Sequence, residues 1–206
     1  LLSSELATHL TGRHLDALIF PFSFREYLKY NSYYTKTYST QSISRIKNYL
    51  SDYLSIGGYP LAYKSDSRFY LSLYSDIIQK DIIARYRPKH PQELKDLARL
   101  ILSNSGQEIS FNKLKNILKI ASVSTVSKYV AYLEAAFLFF TVKRFSYKLK
   151  EQLLAPKKTY CIDTGFVSAI ASGTSTGKGR MMENLVAVEL MRRASWKKDS
   201  TVCYWK

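Results

Sequence analysis

Cysteine is scarce. Cys161 and Cys203 are the only two among 206 residues, too few for a disulfide framework, and the simplest compartment for such a chain is a reducing, cytoplasmic one. Histidine is as thin: His9, His14 and His90 stand apart, with no carboxylate or thiol at ligand spacing, so no metal site is expected. No run approaches 18 consecutive apolar residues, which excludes a helical membrane span and leaves no membrane partner to expect. The chain starts at Leu1 and carries no basic-then-apolar leader pattern. No Ser/His/Asp or Cys/His grouping suggests a nucleophilic enzyme. A phosphate loop is missing too. The nearest string, Gly173 to Gly179, has three residues between Gly173 and Gly177 instead of four, and Gly179 follows Lys178 where Ser or Thr is needed. It reads as a mobile linker.

Acid is the other shortage. Asp and Glu number 16 against 31 Lys and Arg, a net charge of +15. The excess is concentrated: residues 85–158 hold 15 basic and 5 acidic residues, whereas residues 1–84 hold 9 and 7, and residues 159–206 hold 7 and 4. A local excess of +10 points to an anionic partner, nucleic acid first. With 46% hydrophobic and 14% aromatic residues, the chain is rich enough to fold around a core.

The pattern along the chain is mainly helical with small β elements, an α+β class. Residues 3–11 read as a helix and His14–Phe20 as a short strand. Ser23 with Glu26 three residues on forms a capping box that opens a helix Phe24–Tyr30. Helical spacing resumes at Ile43 and ends at Gly57-Gly58, and another helix covers about Ser67 to Ile83. Arg87-Pro88-Lys89-His90-Pro91 breaks the pattern and is the best domain boundary. Beyond it come a helix Glu93–Asn104, a very short strand Glu108–Phe111, a helix Asn112–Leu118, a turn, a helix Thr125–Glu134 capped by Ser124, and an apolar β run Ala136–Val142. A basic, aromatic segment Lys143–Lys148 follows, then a strand Thr159–Ile162.

Helix, strand, helix, turn, helix, hairpin is the order of a winged helix-turn-helix. On its third helix Val126, Tyr129, Val130 and Leu133 face the core, while Thr125, Ser127, Lys128 and Tyr132 are available to double-stranded DNA together with Ser124. The wing offers Lys143, Arg144 and Lys148 to phosphates. The rival reading is a winged helix that binds protein and never touches nucleic acid. Elsewhere, Asp163 of Asp163-Thr164-Gly165, at the end of a strand, suits either a catalytic carboxylate or a helix cap or turn, the structural role being preferred; Glu183 sits at a helix start, and Cys161 and Cys203 are expected to be buried, inert thiols. Gly57-Gly58-Tyr59-Pro60 reads either as a helix–helix corner or as a bend whose proline ring a purine lies against.

These strings occur in a fixed order: Leu10-Thr11-Gly12-Arg13, Phe20 to Leu28, Gly57 to Pro60, Asp163 to Gly165, Glu183-Asn184. The combination resembles the archaeal and prokaryotic AAA+-type ATPases of the STAND-like group, in which an ATPase domain precedes a winged helix joined to a remnant restriction-endonuclease-like fold. The resemblance implies four parts: residues 1–22 as the end of an ATPase core, 23–87 as its helical lid, 92–158 as the winged helix, and 159–206 as the beginning of a truncated nuclease-like α/β domain. It implies Arg13 as a phosphate sensor or a residue acting across a subunit interface, Gly58, Tyr59 and Pro60 as an adenine-packing element, and Glu183 as the first acidic residue of the nuclease-like part. ATP and magnesium would then belong to a core that these residues lack, so the chain alone is expected neither to bind nor to hydrolyse ATP. Its partners would be that core, duplex DNA, and other copies through a homo-oligomeric parent. One Glu is too small a ligand set for metal-dependent cleavage.

Overall fold

A computed structural model describes residues 18–34, 39–65, 68–171, 177–197 and 200–206. The fold is mainly helical with one small four-stranded sheet, an α+β architecture. Ser23 accepts the Glu26 N–H and the Glu26 carboxylate accepts the Ser23 N–H, so the expected capping box opens α1 (Phe24–Tyr30). Ser39 caps α2 (Thr40–Ile56), which stops at Gly57, whose φ of 89° a side chain would resist. A 3₁₀ turn Pro60–Tyr63 leads to α3 (Phe69–Asp76), which runs through a π-helical stretch Ile77–Ile83 into α4 (Ala84–Tyr86).

Arg87, in the left-handed region with φ 44°, ends that rod, and Pro91 starts α5 (Pro91–Ser103). The expected domain boundary here is a corner, because the core continues across it. Ile77, Ile78 and Ile82 before the corner share one apolar cluster with Leu94, Leu97, Ala98 and Ile101 after it. Burying each of the isoleucines and leucines among them stabilises the fold by roughly 1.5–3 kcal/mol.

Then follow β1 (Glu108–Ile109), α6 (Phe111–Leu118), α7 (Val123–Ala135), β2 (Phe139–Arg144), α8 (Leu149–Leu154) and β3 (Lys157–Cys161). α9 (Thr164–Ile170), α10 (Lys178–Ser195) and β4 (Cys203–Tyr204) complete the chain. The strand order is β1-β3-β2-β4. β3 is antiparallel to both neighbours, with Phe139 opposite Cys161 and Ile109 opposite Lys157, and β4 is parallel to β2. α5, β1, α6, α7, β2 and β3 thus have the connectivity of a winged helix-turn-helix, and α8 lies in the wing.

Four local expectations change. β3, expected to open a separate nuclease-like domain at Thr159, is the return strand of the wing hairpin and sits at the centre of the sheet between β1 and β2. The cap of α7 is Ser122, not Ser124: the Thr125 N–H donates to Ser122 Oγ at 3.1 Å, so the helix starts one residue after Ser122. Lys178 and Gly179, expected in a linker, form the first turn of α10, while residues 172–176 lie outside the described residues. Cys161 is buried as expected, but Cys203 is exposed, because β4 is a two-residue edge that turns Tyr204 inward and Cys203 outward. No helix among the described residues is long and apolar enough to cross a membrane.

Candidate functional site

α7 buries Val126, Tyr129, Val130 and Leu133, all as the spacing predicts, and turns Ser124, Ser127 and Lys128 to solvent. Thr125 is half-buried, its hydroxyl 2.9 Å from Ser122 Oγ in the cap. Tyr132 is half-buried. Its ring stacks on Tyr86 with centroids 4.0 Å apart and planes 6° from parallel. The polar look of Tyr132 on the helix hides a partner forty-six residues upstream.

α6 supplies cations that the reading of α7 alone passes over. Leu114 faces the core, so Lys113, Asn116 and Ile117 point outward, and Lys119 follows in the left-handed C-cap with φ 54°. The period around Leu114 is enough to find them. In the wing Lys143 is exposed, Arg144 half-buried, and Lys148 exposed but paired with Glu151 at 3.3 Å.

Four of the five acids of this segment have partners: Glu108 pairs with Lys206, Glu134 accepts the Thr141 N–H, Glu151 takes Lys148 and Ser146, and Asp96 takes Gln92. The fifth, Glu93, is half-buried, and its Oε2 has no hydrogen-bond partner among the described residues. Among the described residues Lys113, Lys119, Lys128, Lys143 and Lys150 have no carboxylate partner. Their charge is therefore uncancelled at short range, in the same unit where the sequence concentrates its excess.

A second constellation lies beneath this surface. Asp163, at the end of β3, caps α9 by accepting the Gly165 N–H at 2.8 Å. The same carboxylate accepts the Gly58 N–H at 2.6 Å and the Tyr70 hydroxyl at 3.0 Å. It is buried, and burial pushes its pKa up to about 6, against the opposing pull of the hydrogen bonds from Gly165, Gly58 and Tyr70. The helix-cap reading of Asp163 holds, and the structure adds that the cap also clamps the α2–α3 corner onto the winged helix. The glycines are what make room: a Cβ on Gly57 would stand 2.0 Å from the Asp163 carboxylate, and one on Gly165 2.1 Å from the Tyr70 ring.

This corrects the adenine reading of Gly58-Tyr59-Pro60. The Gly58 N–H is spent on Asp163, and a Cβ there would meet the Phe22 carbonyl at 2.6 Å. The Tyr59 ring packs edge-on against Tyr70 and Phe166. Pro60 is exposed, but with its two neighbours turned inward the string does not fit an ATP base. Arg13 lies outside the described residues.

Glu183 and Asn184 also have structural partners. Glu183 Oε1 accepts from Lys158 and from the Tyr160 hydroxyl, both at 2.7 Å. Burial raises its pKa, but the Lys158 and Tyr160 hydrogen bonds and the Lys158 charge outweigh burial and hold it below the usual carboxylate range. Asn184, fully buried, binds β3 like an added strand: its Oδ1 accepts the Cys161 N–H at 2.8 Å and the Ser105 hydroxyl at 2.5 Å, and its Nδ2 donates to the Cys161 carbonyl at 2.9 Å. Among the described residues no three His, Cys, Asp or Glu side chains are grouped to hold a metal ion.

A family described as a domain of unknown function, DUF8612, matches residues 47–177, well over half of the chain. An uncharacterized protein of Methanocaldococcus jannaschii is 34% identical over 203 residues, covering 94% of this chain and 45% of the relative. An uncharacterized protein of Haemophilus influenzae is 32% identical over 201 residues, covering 94% of this chain and 49% of the relative. The chain thus spans about half the length of the curated relatives it matches. No solved structure matches it.

Proposed function

The chain belongs to the DUF8612 family, and we propose that it is a winged-helix unit that binds duplex DNA through α6, α7 and the wing. The observation that carries this reading is the set of uncancelled lysines, Lys113, Lys119, Lys128 and Lys143, on the solvent side of a winged helix-turn-helix. Ser124 and Ser127 beside Lys128 supply short hydroxyl donors near the start of α7, where phosphates and base edges are met in such folds. We propose further, from the resemblance, that this is the DNA-binding and regulatory region of a longer cytoplasmic AAA+-type ATPase. ATP and magnesium would be held by a core outside these 206 residues. Nucleotide state would reach the DNA face through the α2–α3 corner and Asp163.

The rival reading, a winged helix that contacts only protein, has the Tyr86–Tyr132 stack in its favour. That stack covers Tyr132 and leaves Ser124, Ser127 and Lys128 open, so the DNA reading is preferred.

Salt dependence tests it. Four lysines on phosphates give a slope of log K against log salt of about −3.6. Affinity of the chain for a duplex is then expected to fall about a hundredfold between 50 and 200 mM salt, followed by fluorescence anisotropy. No binding at low salt, or the same affinity at both, overturns the proposal.

A further inference from the structure

The phosphate-binding reading leaves the aromatic half of the wing without a task. Tyr147 is 91% exposed and Trp205 74%. Both rings rest on Phe145, Trp205 stacked at 5.3 Å with planes 26° apart, Tyr147 edge-on at 5.0 Å. The base beneath them is built, not loose. The Phe145 N–H donates to the Tyr204 carbonyl at 2.8 Å, and Arg144 is in register with Tyr204 in the parallel β2–β4 pair. The Tyr204 hydroxyl donates to the Pro156 carbonyl at 2.6 Å, which ties the far end of the wing to the same strand. The loop itself is closed by Ser146, whose hydroxyl donates to Glu151 at 2.9 Å and accepts the Lys148 N–H at 3.1 Å.

Flat aromatic faces are thus held in water on a wing that also carries Lys143, Lys148 and Lys150, with Glu151 as the one acid of the wing, already engaged by Ser146 and Lys148. The ligand complementary to that surface carries flat π faces strung on an anionic backbone. We infer that the wing stacks unpaired bases of single-stranded DNA on Trp205 and Tyr147, while the neighbouring lysines take its phosphates. Base–aromatic stacking needs exposed base faces, which a continuous duplex hides. The inference rests on the DNA-binding reading and deepens it: the preferred substrate is a junction, with duplex on α6, α7 and Lys143 of the wing, and single strand on the wing's aromatic rings.

Trp196 and Trp205 are the two tryptophans of the chain, so Trp196→Phe leaves Trp205 as the only indole reporter. Adding a short oligothymidylate is expected to quench it saturably. Trp205→Ala and Tyr147→Ala are each expected to weaken oligothymidylate binding about tenfold while leaving affinity for a long blunt duplex within about twofold. Salt-sensitive duplex binding with no quenching, and with single-strand affinity unchanged in both variants, overturns this inference alone. Absence of binding to either DNA overturns the reading beneath it as well. If instead Trp205→Ala dissolves a dimer in sedimentation and leaves DNA binding untouched, the wing and its exposed Leu149, Leu153 and Leu154 serve a second copy of the chain, and the inference fails.

Discussion

Asp163→Ala is expected to lower the stability of the fold by about 3–5 kcal/mol, the range for removing a buried group whose partners stay behind. Three donors lose their acceptor at once: the Gly58 N–H, the Gly165 N–H and the Tyr70 hydroxyl. None is replaced by water without opening the contact between α9 and the α2–α3 corner, since Gly57, Gly58 and Gly165 are all buried there. Asp163→Asn is expected to cost less, because its amide still accepts from one side, but its NH₂ then faces an N–H on the other. Urea unfolding measures both. A cost under about 1 kcal/mol for the alanine variant would show that the clamp is dispensable.

The same group gives a pH signature whose sign is unusual for a carboxylate. Asp163 releases its proton near 3.8 in the unfolded chain and near 6 in the fold. Between those values the folded state holds the extra proton, so stability falls as pH rises through the window and levels off above about 6. The fall is on the order of 3 kcal/mol from a shift of this size. Glu26 and Glu183, both held below their ordinary value, act the other way: their contribution is present above about pH 4.5 and fades as pH falls. The difference between wild type and Asp163→Asn isolates the buried group, and the gap is expected to narrow from pH 4 to pH 7. A gap constant across that range would contradict the burial argument.

The second large effect concerns neighbouring residues with opposite fates. Asn184→Ala is expected to destabilise by about 3 kcal/mol, since it takes a buried partner from the Ser105 hydroxyl and the Cys161 carbonyl and leaves the Cys161 N–H with Ser105 Oγ alone. Glu183→Ala is expected to cost at most about 1 kcal/mol, because Glu183 and Lys158 are both partly solvated and surface ion pairs contribute little. Thermal or urea unfolding of the two variants compares them directly. If Glu183→Ala proved the more damaging, or if it abolished a metal-dependent DNA cleavage, the structural assignment of this pair would be wrong.

Local signals were legible and long-range meetings were not. The Ser23–Glu26 capping box, the leucine stripe of α5 and the buried face of α7 follow from spacing alone. The winged-helix order follows from the succession of elements. Two strings, Gly57 to Pro60 and Asp163 to Gly165, are conspicuous for their glycines, yet nothing local says that they are donor and acceptor of one hydrogen bond across 105 positions. The prolines at 88 and 91 do break a helix, but a break in the backbone carries no information on whether side chains such as Ile82 and Leu97 pack across it. Ser122 and Ser124 are equally good caps by chemistry, and a shift of two residues in the helix start separates them. Tyr132 presents an amphipathic ring whose role depends on Tyr86, a residue on the other side of that break.

The account turns on where DNA touches the chain, and paired charge reversals read that most directly. Lys128 lies exposed on α7 and Lys47 exposed on α2, far apart in sequence and alike in chemistry. By fluorescence anisotropy at low salt, Lys128→Glu is predicted to weaken duplex binding at least about tenfold and to flatten the salt slope by about one unit or more, while Lys47→Glu leaves both nearly unchanged. Equal losses from the two reversals, or none from either, would contradict a DNA interface on the winged helix.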